Sequence, residues 1–276
     1  MLRSVAAGLA LTVLASGGVV GQDWQSMSQA RARSDETELR VDVEYGAGSL
    51  ELRPAPAGML YRTRMRYDAD HFRPEVSYDD GRLGIEIGGG DIRGGKTKGG
   101  NLDLALGTEL PLDLSLEFGA AEAQIELGGM RLTRGSIKTG ASKTVLRVSE
   151  PNPQVCNSFE IEVGAAQFEA YSLGNLRTER FRLSGGVGEV VLDFGGAWET
   201  DMDANIEMGL GSLTLRVPRG LGLRVQKQGF LAGFDSEGLV KRGDVYFSEN
   251  WEAANRRLTV RLQAALGSIR VVWVDA

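Results

Sequence analysis

Along most of this chain apolar and polar residues alternate one for one, and the alternation is interrupted at regular intervals by glycine or alanine. One phrase recurs seven times: an apolar residue, two further residues, Gly or Ala, then apolar side chains four and six places on. Its centres are Gly46, Gly119, Gly140, Gly164, Gly186, Gly209 and Ala265, and three residues before them stand Val43, Leu116, Ile137, Ile161, Leu183, Ile206 and Leu262. After them come Leu50 and Leu52, Ala123 and Ile125, Thr144 and Leu146, Phe168 and Ala170, Val190 and Leu192, Leu213 and Leu215, Ile269 and Val271. The five central copies lie 21 to 24 residues apart. A fixed period of that size marks a stack of like units.

Alternation with period two is the signal of a half-buried strand. In the copy at Gly209, Ile206 and Met208 flank Glu207 before the centre, and Leu213, Leu215 and Val217 alternate with Thr214 and Arg216 after it. Each copy reads as two short strands around a tight corner, where glycine permits positive φ or close approach of a neighbour. Such a unit cannot bury its apolar side alone. Stacked at about 4.8 Å, the copies pair their backbones and share one core. The pattern predicts an all-β fold: a single-stranded β-solenoid, a right-handed β-helix-like stack of rungs of about 22 residues with irregular end rungs. In such a stack Ile137, Ile161, Leu183 and Ile206 form one inner column. The outward residues Glu117, Lys138, Glu162, Ser184 and Glu207, and Glu126, Arg147, Tyr171, Asp193 and Arg216, then form ladders in which opposite charges meet.

Two stretches break the rhythm. Gly46 to Gly119 spans 73 residues. Within it Tyr61, Thr63, Met65 and Tyr67 alternate with Arg62, Arg64 and Arg66, and Val76 and Tyr78 lead through Asp79-Asp80-Gly81 to Leu83, Ile85 and Ile87, a hairpin with an Asp-Gly turn. Gly209 to Ala265 spans 56 residues and holds one possible helical turn, Ser248 to Leu258, with Ser248 as its cap. Both stretches read as irregular rungs or end caps that hide a strand edge.

Composition adds an export reading. Arg3, the apolar run Val5 to Ala15 and the small residues Val19-Val20-Gly21 form a signal peptide over residues 1–21, with Gly17 standing where a lipoprotein would need cysteine. Residues 22–38 read as a polar linker. Residues 39–276 form the solenoid domain, with 39–110 as irregular N-terminal rungs with the hairpin, 111–217 as the regular repeats and 218–276 as C-terminal rungs and cap. Membrane contact is expected only through an uncleaved signal, if at all. The single cysteine, Cys156, allows no intrachain disulfide, fits a periplasm or outer surface and reads as a buried small hydrophobe. A net charge of −6 argues against nucleic acid as a partner.

Chemical motifs are sparse. Gly90-Asp91-Ile92-Arg93-Gly94-Gly95-Lys96-Thr97 matches the P-loop pattern, but Lys98, Gly99, Gly100 and Asn101 follow where a helix must begin, so no nucleotide is expected. The stretch reads as a Gly-rich loop between strands whose Arg93, Lys96 and Lys98 could touch an anionic polymer. The row Arg62, Arg64 and Arg66 could do the same, though pairing with acids of an adjoining strand is the favoured expectation. Asp201, Asp203 and Asn205 open like a calcium loop but lack its glycine and closing glutamate. The only histidine, His71, has no second histidine or cysteine cluster to share a metal with. Paired acids such as Asp79 and Asp80 carry no specificity as glycosidase carboxylates. No catalytic residue, metal or cofactor is expected.

Val43-Glu44-Tyr45-Gly46-Ala47-Gly48-Ser49-Leu50-Glu51-Leu52 resembles the opening of the toast-rack proteins. Trp251 to Leu258 through Gly267-Ser268-Ile269-Arg270-Val271 is similar to the C-terminal domain of LiaF-like cell-wall-active-antibiotic response proteins, and the middle repeats resemble the adhesin-like solenoids grouped with them. The resemblance covers residues 40–274. It implies an all-β stack and an envelope setting, with no catalytic residues to carry over. LiaF-like regulators place this domain after membrane spans, whereas this chain shows only an export signal, so membrane-embedded control of a sensor kinase is not expected. The sequence thus points to an exported, non-catalytic binding or scaffold module whose partner is an envelope protein or a cell-surface polymer, with a role as an accessory to envelope-stress or cell-wall-antibiotic response as the narrower expectation. An adhesin-like or polysaccharide-binding solenoid is the alternative, and a lyase-type β-helix enzyme ranks below both.

Overall fold

The structure, a computed structural model, describes residues 23–89, 99–228 and 231–275. The expected signal peptide and the basic residues Arg93, Lys96 and Lys98 lie outside these residues. The described part is all-β. In chain order its strands are β1 (Trp24–Ala32), β2 (Leu39–Pro54), β3 (Met59–Asp68), β4 (Phe72–Asp79), β5 (Arg82–Gly89), β6 (Gly100–Leu106), β7 (Leu112–Glu126), β8 (Leu132–Thr139) and β9 (Lys143–Arg147). There follow β10 (Ser158–Tyr171), β11 (Arg180–Asp193), β12 (Met202–Pro218), β13 (Gly222–Gln228), β14 (Leu231–Asp235), β15 (Leu239–Arg242), β16 (Val245–Ser248) and β17 (Arg257–Val274). No α-helix occurs among the described residues.

The repeated phrases meet in parallel, position for position. Val43 pairs with Leu116, Leu116 with Ile137, Ile137 with Ile161, Ile161 with Leu183, Leu183 with Ile206 and Ile206 with Leu262. All seven are buried. Beyond the corner the same holds from Leu52 through Ile125, Leu146, Ala170, Leu192 and Leu215 to Val271. A one-residue slip would turn every one of these side chains to solvent, which is why the register is so strongly specified. The rung between β7 and β10 is split into β8 and β9, and these four strands close a parallel ring.

Backbone geometry explains the glycines. A Cβ on Gly119 would lie 2.5 Å from the carbonyl oxygen of Gly46, and one on Gly209 would lie 2.5 Å from that of Gly186. The phrase centres are therefore glycine because one rung rests directly on the next. Positive φ falls two residues later, as at Gly211 with φ 139°.

The ladder does not follow chain order at its ends. β2 lies between β7 on one side and β5 with β6 on the other, so the excursion from Pro54 to Leu112 supplies an outer rung. Likewise β17 lies between β12 and the pair β13 and β14. The chain's last strand is thus an inner rung. Antiparallel strands then cover the outer rungs: β4 on β5, β3 on β6, β1 on β3, β16 on β13 and β15 on β16. The Asp-Gly hairpin is present between β4 and β5, with φ 40° at Asp80 and 75° at Gly81, both positive as a type I′ turn requires.

Two expectations are corrected. Residues 22–38 are not a linker throughout, because β1 pairs along its length with β3 from Trp24↔Asp68 onward. An edge strand held by backbone hydrogen bonds needs no apolar face, so its polar sequence hid it. Ser248 to Leu258 is not a capped helical turn: residues 249–253 form turns, and the Ser248 hydroxyl accepts the Leu223 amide instead. The chain has to straighten at Arg257 to enter β17.

Candidate binding groove

The rungs bend at the phrase centres, and the bends line up into a groove of about 1420 Å³ running along the ladder. Gly46, Gly119, Gly140, Gly164, Gly186, Gly209 and Ala265 line it, so nearly no side chain rises from its floor. Two residues before each centre the side chains point outward and form one wall. In register from one end they are Glu86, Glu44, Glu117, Lys138, Glu162, Ser184, Glu207, Gln263 and Gln228. Lys138 meets Glu162 at 3.4 Å. Glu86, Glu44, Glu117 and Glu207 have no ion-pair partner among the described residues. Three of these stand on adjoining rungs about 4.8 Å apart, within the screening length of salt water, so they repel one another.

The rest of the surface is treated differently. A second concave face, about 930 Å³, lies at the N-terminal ends of the same strands. There Arg40 and Arg134 hold Asp113 between them at 3.7 and 2.8 Å, and Arg182 meets Glu160 at 3.6 Å. On the far side of the corner Arg216 meets Asp193 at 3.3 Å and Arg147 stacks over the Tyr171 ring at 5.4 Å. Of the two ladders that the sequence predicted, the one beyond the corner brings Arg216 to Asp193, and the one that forms the groove wall brings opposite charges together at Lys138 and Glu162 while Glu86, Glu44 and Glu117 stand in a row of like charge.

A row of small and aliphatic residues runs beside the phrase centres, outside the lining of the groove. One residue past each centre stand Ala47, Ala120, Ala141, Ala165, Val187, Leu210 and Leu266. The last three occupy adjoining rungs and are 53%, 47% and 48% exposed.

None of the chemical candidates offered by the sequence lines the groove among the described residues. Arg62, Arg64 and Arg66 sit on β3 between β1 and β6. The expected pairing with acids is not what they do: Arg66 stacks over the Trp24 ring at 4.6 Å, and Asp103, opposite Arg64, meets Arg53 at 3.5 Å. Asp201 accepts the Arg257 amide at 3.0 Å, while Asp203 and Asn205 are strand residues of β12. His71 meets buried Asp68 at 3.0 Å in the turn between β3 and β4. Cys156 is fully buried, and burial pushes its thiol up to about 11.

Sequence reading found the middle of the acidic wall but missed its end. Glu44 and Gln263 were available, two before the first and last centres. Glu86 was hidden: Ile85, Glu86 and Gly88 match the first half of the phrase, but the second half, Leu102 and Leu104, is displaced by the Gly-rich insertion at the corner.

Comparison with known proteins follows this geometry. No curated protein matches the chain in sequence. Among solved structures it is similar to a candidate cell adhesion protein of Clostridium sporogenes, with 17% identity and TM-score 0.46 over 91% of this chain and 100% of that one. It is also similar to a candidate adhesin of Bacteroides fragilis, with 10% identity and TM-score 0.42 over 90% and 97%. A candidate adhesin of Parabacteroides distasonis gives 12% identity and TM-score 0.42 over 91% and 98%. The model of the N-terminal domain of toast_rack, DUF2154, matches residues 20–169 and 152–216. The two matches overlap on β10, as a repeat that can be aligned in more than one register allows, and together they take in well over half of the chain, which belongs to the toast-rack family.

Proposed function

We propose that this chain is an exported, non-catalytic module of the cell envelope that holds its partner along the glycine-floored groove. In this reading the parallel ladder is a right-handed β-solenoid, and its rigidity presents one long, regular surface. The observation that carries the reading is the in-register row Glu86, Glu44 and Glu117. Like charges directly opposite one another weaken a sheet. A fold that keeps three like charges in register on adjoining rungs gives up stability there, as binding surfaces do. The export signal read at residues 1–21 supports the envelope setting. A role as an accessory to envelope-stress signalling is a narrower form of the same reading.

The test is fractionation of cells expressing the tagged full chain, followed by retention of the mature protein on envelope extracts and on a glycan array. The expected result is an exported protein that retains an envelope component and releases no product from any glycan. A cytoplasmic protein, or turnover of a polysaccharide, overturns it.

A further inference from the structure

We propose that the mature chain forms a two-fold dimer in which β1 of one copy pairs antiparallel with β1 of a second copy, centred on Met27. The dimer is independent of the groove and does not rest on its reading as a contact surface.

Three of the four edge strands are blunted, and β1 is not. Among the described residues β1, β4, β14 and β15 have a strand partner on one side only. β4 carries Pro74. β14 and β15 are five and four residues long, and β15 ends on Lys241 and Arg242. Short strands, proline and lysine are the means by which a sheet edge refuses a further strand. β1 uses none of these. It runs for nine residues, most of them exposed, without proline, glycine or lysine. Its register on β3 is unbroken from Trp24 to Arg31.

The phase of the ladder shows which backbone groups remain open. The Ala69 amide donates to the Asp23 carbonyl at 2.8 Å, and the two residues are directly opposite in the ladder. Odd-numbered residues of β1 therefore direct their backbone groups at β3, and Ser26, Ser28 and Ala30 direct theirs at the open edge. No turn or loop among the described residues bonds the backbone of these three. A second β1 running antiparallel must bring even positions opposite even positions, so the two-fold axis passes through a residue and not between two.

Side chains choose that residue. About Met27, Trp24 comes opposite Ala30, Gln25 opposite Gln29 and Ser26 opposite Ser28. Asp23 comes opposite Arg31 in both directions, so Arg31 gains a second carboxylate beside Glu36, and no like charges face each other. About Ser28, Arg31 would face Gln25, and the pairing would have to cross the register shift between Arg31 and Ala32. Met27 is only partly buried beside buried Met65, and its twin covers this end of the core. A two-fold pairing closes on itself, so it gives a dimer and not a filament.

The test is sedimentation of the mature chain over a dilution series, where a reversible dimer is expected. Ser28→Pro removes an amide donor that faces only the open edge and leaves the bonds between β1 and β3 in place. It should weaken the dimer at least about tenfold and leave the thermal midpoint of the diluted monomer unchanged. Asp23→Arg, which sets two arginines against each other, should also weaken it. Cysteine variants read the register directly. Met27→Cys lies about 4.5 Å from its twin between Cα atoms and should close an intermolecular disulfide in air. Gln25→Cys lies about 13 Å from its twin and should not. The native Cys156 is buried and gives no background. A mature chain that stays monomeric throughout, a dimer indifferent to Ser28→Pro and Asp23→Arg, or equal cross-linking of the two cysteine variants overturns the proposal. Should Ser28→Pro fail to fold, the cysteine pair decides. Loss of the dimer leaves the groove standing as a contact surface, and failure of envelope binding leaves the dimer standing.

Discussion

Asn152 shows how much single side chains do between rungs. Its amide donates to the Leu132 and Leu176 carbonyls at 2.9 and 3.3 Å, and its side-chain oxygen accepts the Leu132 amide at 3.1 Å. Asn175, one rung on, donates to the Val148 carbonyl at 2.7 Å and accepts the Ala197 amide at 2.7 Å. These side chains satisfy backbone groups of loops that have no ladder partner. Replacing Asn152 with alanine takes this donor from the Leu132 and Leu176 carbonyls, while the Leu132 amide keeps its bond to the Met130 carbonyl at 2.9 Å, and a loss of about 1–3 kcal/mol is expected by denaturant unfolding. A loss below about 1 kcal/mol would mean that the loops satisfy themselves. Glu36 gives a pH signature. It accepts from the Ser34 amide at 2.7 Å, the Tyr78 hydroxyl at 2.8 Å and Arg31 at 3.2 Å, with its side chain 5% exposed. These donors, the Ser34 amide foremost, hold its carboxyl down at about 2 against an ordinary 4.5. A depressed carboxylate stabilises the fold above its unfolded value and loses that contribution as pH falls towards the folded one. Glu36→Gln should therefore flatten the thermal midpoint between about pH 4.5 and pH 2, and an unaltered acid limb would refute the role. The sequence showed Cys156 as a small hydrophobe, since its environment follows from local composition. It could not show Asn152, whose side-chain partners lie 20 and 24 residues away, or the Tyr78 bond to Glu36, which spans 42.

At the scale of one rung the corner decides. Gly211 has φ 139°, and a Cβ there would lie 1.9 Å from the Gly188 carbonyl oxygen. Gly211→Ala combines a conformation that side chains avoid with a clash against rigid backbone, and should cost at least about 2 kcal/mol. Gly220, with nothing near its would-be Cβ, is the comparison: Gly220→Ala should leave the thermal midpoint unchanged. Equal effects at the two sites would show that the corner yields. The rung itself was legible because each half repeats its apolar spacing around a small residue. The geometry of the corner was not: the neighbouring rung approaches closely both at the centre and two residues on, and only the second position adds a positive φ, as Gly209 and Gly211 show.

Across the whole molecule the order of rungs matters more than their number. β17 is held by β12 on one side and by β13 and β14 on the other, so a chain ending at Arg256 would lose an inner rung and leave β13 and β14 without their parallel partner. Such a truncation should lose protection from hydrogen exchange over residues 202–228, while residues 112–171 keep theirs. Protection retained throughout would mean that β13 can pair directly with β12. The antiparallel strands at both ends cover the outer rungs' edges, as a stack that stays unpolymerised needs.

The alternation of side chains by itself determined the all-β class, the register of the seven phrases and the middle of the acidic wall. Each follows from the period of two and from neighbours that carry the same letters at the same offsets. Tertiary structure alone decided that the final strand enters the interior of the ladder, that the polar N-terminal segment is an edge strand and that Glu86 extends the wall. Those depend on which backbone edge is free to pair, and backbone hydrogen bonds are the same for every residue, so they leave no mark in composition or spacing.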